Sequence, residues 1–136
     1  MNRRVGFVIF IVMSFVLVGC IEKSQSIETK TLTEFYEKNL DDVNKIVIMH
    51  GSGDKKIVND SAKIKDILVK IKDIKFIPEE NQEGRVGWLY SVALYVDDEE
   101  TFKFLPSKVN DNYYYTEPEM IPIIDDFYKS LDIQDK

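Results

Sequence analysis

The sequence predicts an α+β fold, an antiparallel β-sheet with helices packed on one face. Residues 61–72 place Ile64, Ile67, Leu68 and Ile71 at helical spacing, with Lys63, Lys65, Lys70 and Lys72 on the other faces. Residues 87–96 alternate instead, sending Tyr90, Val92, Leu94 and Val96 to one side and Leu89, Ser91, Ala93 and Tyr95 to the other. Links between consecutive strand-like runs are short, which favours antiparallel pairing. A sheet and amphipathic helices bury their apolar faces by layering against each other. The competing architecture is a lipocalin-like β-barrel, suggested by the aromatic strands, and the strong helix in mid-chain counts against it.

Taken in order, Thr31 or Thr33 caps a short helix whose Leu32, Phe35, Tyr36 and Leu40 share a face. Lys45 to Met49 is rich in β-branched residues and reads as a strand. Gly51-Ser52-Gly53-Asp54 turns the chain and Lys56-Ile57-Val58 returns it, a hairpin. Asn59, Asp60 or Ser61 caps the mid-chain helix; Asn59-Asp60-Ser61 also matches the N-glycosylation triplet, but a cap is the expected role. Lys75-Phe76-Ile77 is a short strand stopped by Pro78, and Glu79 to Val86 is a polar loop. Gly87 to Val96 forms a long strand with apolar residues on both sides, and so a central one. Asp97 to Glu100 makes a turn before Thr101 to Leu105, and an Asn110-Asp111-Asn112 turn leads into Tyr113-Tyr114-Tyr115. Thr116 with Glu119 three residues later has capping-box spacing for a last helix through Leu131, although Pro122 favours a start at Ile121.

The chain has 136 residues, with 24 Asp+Glu against 18 Lys+Arg and a net charge of −6. That length fits one domain. Acidic charge of this size is wrong for nucleic acid and for anionic lipid headgroups. Cys20 is the only cysteine, which excludes an internal disulfide and a zinc-thiolate cluster. No metal or other cofactor is expected, and no catalytic residue set is visible.

Asn2-Arg3-Arg4 is basic, Val5 to Val18 is uncharged and mostly apolar, and Leu17-Val18-Gly19-Cys20 closes the run. These are the parts of a secretory signal peptide. The apolar stretch is shorter than the roughly 20 residues a membrane-spanning helix needs. The last four residues resemble the lipobox of bacterial lipoproteins. That resemblance implies cleavage between Gly19 and Cys20 by the lipoprotein signal peptidase and a diacylglyceryl thioether on Cys20. The product would sit on the extracytoplasmic face of the cell membrane. The body, in length and in its Lys/Ile/Asp/Asn bias, is similar to small uncharacterised lipoproteins of Gram-positive bacteria. Loss of Arg3 and Arg4 with the leader would make the chain more acidic by two charges. Each buried methylene contributes about 0.8 kcal/mol, so two acyl chains anchor durably without help from protein charge. The expected organisation is a cleaved leader over 1–19, a lipidated N-terminus and polar tether over 20–30, and one globular domain over 31–136.

Candidate sites are few. His50, the only histidine, stands beside Gly51-Ser52-Gly53-Asp54, where an acid-base pair with Asp54 lacks a third orienting group. Asp97-Asp98-Glu99-Glu100 has carboxylates for calcium but neither the alternating ligands nor the glycine of an EF-hand loop. Trp88 with Tyr113, Tyr114 and Tyr115 offers aromatic contact area with polar handles, and Arg85 can hold an anionic group bidentately. These five residues are the expected binding surface for an envelope protein or a small-molecule ligand, against the plainer reading of sheet core. The expected function is a membrane-anchored, non-enzymatic binding module. An inhibitor or immunity-type lipoprotein acting on an exported enzyme or toxin is the second reading, and a cell-envelope hydrolase the third.

Overall fold

The computed structural model describes residues 26–131. The expected leader, the lipobox cysteine Cys20 and the tether up to Gln25 lie outside the described residues. In chain order come β1 (Lys30–Thr31), α1 (Leu32–Phe35), a 3₁₀ turn (Leu40–Asp42), β2 (Lys45–His50) and β3 (Lys55–Val58). These are followed by α2 (Ser61–Ile71), β4 (Lys75–Pro78), β5 (Tyr90–Val96) and β6 (Glu99–Phe104). The described chain ends with β7 (Lys108–Val109), β8 (Asn112–Glu117) and α3 (Met120–Ser130).

The fold of the described residues is α+β, with the strands divided between two antiparallel sheets and not closed into a barrel. The first sheet runs β1-β4-β8-β7 and the second β3-β2-β5-β6. The long strand β5 is central, as its two-sided apolar pattern predicts, with β2 and β6 as neighbours. It begins at Tyr90, later than expected, and residues 87–89 belong to the preceding loop. Leu105 and Lys108 bridge at the corner where the chain leaves the second sheet for the first.

Both sheets feed one core. Ile46 lies opposite Leu94 and Ile48 opposite Val92, four side chains on the inner side of the second sheet. Leu32, Ile67, Ile71, Phe76, Met120 and Ile124 are also fully buried, so α1, α2, β4 and α3 close over that side. Phe35, Phe76 and Tyr114 meet edge to face at centroid separations of 5.5 to 6.0 Å, which joins α1 to the first sheet. Ile27 packs on this core and Lys30 pairs with Phe76, so the last residues of the expected tether are drawn into the fold.

Local chemistry sets the helix starts. The Asp60 side chain accepts from the backbone N–H groups of Ala62 and Lys63, each at 3.0 Å, and caps α2. Thr31 and Glu34 form a reciprocal capping box on α1. The expected second box does not form. Thr116 Oγ1 accepts instead from the Met120 N–H at 2.9 Å, and α3 starts at Met120 with no side-chain cap from Glu119. Pro122 then falls in the first turn, where a missing N–H removes no helical hydrogen bond.

Two hairpin turns are built without glycine. Asp97 and Asp98 have φ of 48° and 65°, and Asn110 and Asp111 have φ of 48° and 67°. These are the left-handed pairs of a two-residue hairpin turn, which Asn and Asp tolerate best among side-chain-bearing residues. Glu99 and Glu100, expected in the first turn, belong to β6.

Candidate functional site

The structure separates the five residues expected to form one surface. Tyr114 is core: it is 3% exposed, and its rim is taken by Phe35 and Phe76. Burial raises its hydroxyl pKa. Contrary to expectation it offers no contact surface, because β8 sends Tyr114 inward while its neighbour Tyr115 is exposed. Tyr115 and Trp88 belong to different regions, β8 of the first sheet and the loop entering β5 of the second.

Arg85 and Tyr113 do meet, but they are engaged with each other. The guanidinium carbon stands 4.9 Å from the Tyr113 ring centroid, and the Arg85 backbone N–H donates to the Tyr113 hydroxyl at 2.9 Å. The guanidinium also donates to the Glu79 carboxylate and, at 3.1 Å, to the Asn81 carbonyl. Hydrogen bonding to Glu79 raises the Arg85 pKa. Gln82 completes the knot by accepting from the Tyr113 N–H at 2.8 Å and donating to the Tyr113 carbonyl at 2.9 Å. Arg85 therefore holds the loop to β8, with one guanidinium nitrogen shared between Glu79 and Asn81.

Past Arg85 the loop presents apolar side chains. Val86 is fully exposed, Trp88 is 40% exposed and Leu89 is 45% exposed. Both flanks of this stretch are pinned, by Arg85 on Tyr113 and by the Gly51 N–H donating to the Leu89 carbonyl at 2.8 Å. Gly51 is obligatory here, since a Cβ on it would strike the Trp88 carbonyl. The β2–β3 turn and the apolar loop thus lie side by side.

His50 is the other candidate. Its Nδ1 accepts from the Ser52 backbone N–H at 3.1 Å and lies 2.8 Å from Ser52 Oγ. Asp54 meets Ser52 Oγ at 3.4 Å, so serine stands between the histidine and the carboxylate. A nucleophilic triad needs the histidine in the middle, oriented by the carboxylate. This order makes a turn-stabilising chain of hydrogen bonds. The imidazole also packs edge-on against Tyr90 at 5.2 Å and beside Tyr128 at 6.1 Å.

Beneath it runs a network that sequence reading missed. Tyr90 Oη donates to Asp125 Oδ1 at 2.5 Å, and Lys129 Nζ donates to Asp125 Oδ2 at 2.6 Å. Burial, then the bond to Asp125, pushes the Tyr90 pKa up to about 12. Hydrogen bonds from Lys129 and Tyr90 lower the Asp125 pKa, and Asp125 raises that of Lys129. A proton-transfer carboxylate near neutral pH would need the opposite shift. The Asp125–Lys129 spacing of one helical turn was visible in the sequence, but its meeting with Tyr90 was not.

The Asp97–Glu100 run is not gathered into a cluster. Asp97 accepts from Asn44 at 3.0 Å and Asp98 pairs with Lys45 at 3.1 Å, and no group of acidic or histidine ligands with metal-binding geometry occurs among the described residues. No protein family, characterised protein or solved structure matches the chain.

Proposed function

We propose that the chain is a lipid-anchored, non-enzymatic binding module on the extracytoplasmic face of a bacterial membrane, held by a diacylglyceryl group on Cys20. The anchor rests on the lipobox Leu17-Val18-Gly19-Cys20 and the basic, apolar leader before it. The binding role rests on one observation: three exposed apolar side chains within four residues, Val86, Trp88 and Leu89, on a loop fixed at both flanks. Exposed apolar groups on a pre-ordered loop lose little conformational entropy on docking, and tryptophan contributes strongly at protein contacts. The envelope protein that docks there would bury Trp88.

Two measurements on the full-length chain in its host test this. Metabolic labelling with a fatty acid should mark the native protein and fail with Cys20→Ala; equal labelling removes the anchor. A photo-crosslinking side chain at Trp88 should trap a discrete envelope protein, and absence of any adduct there removes the contact loop.

A further inference from the structure

Alternation along the strands gives the second sheet an outer side that carries Val47, Met49, Ala93 and Tyr95. None of these four belongs to the core cluster that the helices cover. They form the floor of a shallow trough of about 300 Å³, and Lys45, Lys55 and Lys103 line it from three different strands. Glu100 is the one acidic residue in the lining.

The charge there runs against the rest of the protein. The chain as a whole is at −6, yet the trough sets three ammonium groups against one carboxylate. Lys45 is partly neutralised, bonded to Asp98 at 3.1 Å and lying 4.5 Å from the Tyr95 ring centroid. Lys55 and Lys103 are exposed and have no ion pair among the described residues.

We propose that this outer side is the seat of an acidic protein partner, which lays an apolar side chain on Val47 and Met49 and sets carboxylates against Lys55 and Lys103. The inference rests on the binding-module reading and adds the chemistry of the partner. Complementary charge of this kind steers encounter and fixes register. A second copy is disfavoured, because a two-fold pairing of this patch with itself brings lysines toward lysines. An anionic bilayer is a poorer fit as well. The acidic body, at −6, is repelled by such a surface.

The test uses the full-length chain in its host, with a photo-crosslinking side chain at Ile57, which lines the trough and is 55% exposed. A protein adduct is expected at this position. It should fall about tenfold when Lys55→Glu and Lys103→Glu are combined, and persist when both become Arg. Lys55→Gln with Lys103→Gln guards against misfolding: it removes charge without adding repulsion and should lower the yield by a smaller factor at an unchanged melting temperature. An adduct insensitive to charge reversal overturns the proposal, as does an adduct with lipid or with a second copy of the chain. An adduct from Trp88 with none from Ile57 overturns it while leaving the binding module standing. No adduct from either position removes both.

Discussion

The two sides of the second sheet are made by the same strands, and they carry different work. Inward, Ile46, Ile48, Val92 and Leu94 are almost wholly excluded from solvent under α2 and α3. Outward, Val47 and Met49 are half-buried and their cover is other side chains of the sheet, lysines included. Lysine stems can shield apolar surface while the ammonium stays wet. Apolar character alone therefore does not mark the core of this protein. What marks it is which phase of the alternation meets a helix.

Charge placed on each side should separate the two most strongly. Leu94→Lys leaves an unpaired ammonium in the core and should abolish cooperative unfolding, whereas Val47→Lys should keep a sharp transition. Equal damage would mean that the outer side is also packed. Truncation gives a smaller contrast: Ile48→Ala should cost about 2–5 kcal/mol by denaturant titration. Met49→Ala should cost less than that, roughly within the range of surface substitutions.

Titration sharpens the inner side further. Tyr90 ionises near pH 10 when unfolded and about 12 when folded, so its contribution is complete below pH 10 and is lost as pH rises toward 12. Lys129, raised by Asp125, adds to the same alkaline loss. Asp125 is lowered, so its contribution is present above the ordinary carboxylate range and disappears as pH falls through its folded value. Denaturant midpoints should form a plateau that declines at both ends, and Tyr90→Phe should flatten the alkaline decline. The smallest effect is expected at the exposed loop, where Trp88→Ala should change stability by no more than about 0.5 kcal/mol. Its indole emission should already be open to acrylamide in the native protein.

Much of the inner side was legible in the sequence. The helical spacing of Ile64, Ile67, Leu68 and Ile71 and the alternation of Tyr90, Val92 and Leu94 correspond to α2 and β5, because each period has only one way to bury its apolar residues. Division of the strands into two sheets was not legible, since short links favour antiparallel neighbours without saying where a sheet ends. The separate fates of three consecutive tyrosines were not legible for a related reason. Tyr113, Tyr114 and Tyr115 share a composition, but only the partners across the fold decide their fates: Phe35 and Phe76 enclose Tyr114, and Arg85 takes Tyr113. The lysine-lined trough needed the β3–β2–β5–β6 order, which gathers residues from distant parts of the chain.

Side chains on a strand repeat every second residue, so the two-residue Asp97-Asp98 link, together with the register shift opposite Leu94 and Tyr95 that passes over Thr101, fixes which way Phe102 and Phe104 are turned. A single residue inserted there would invert the ribbon, offering Phe102 and Phe104 to water and driving Lys103 toward the interior. Evolution can thus lengthen this tip only in even steps, or must also alter the irregularity that already lies in β6.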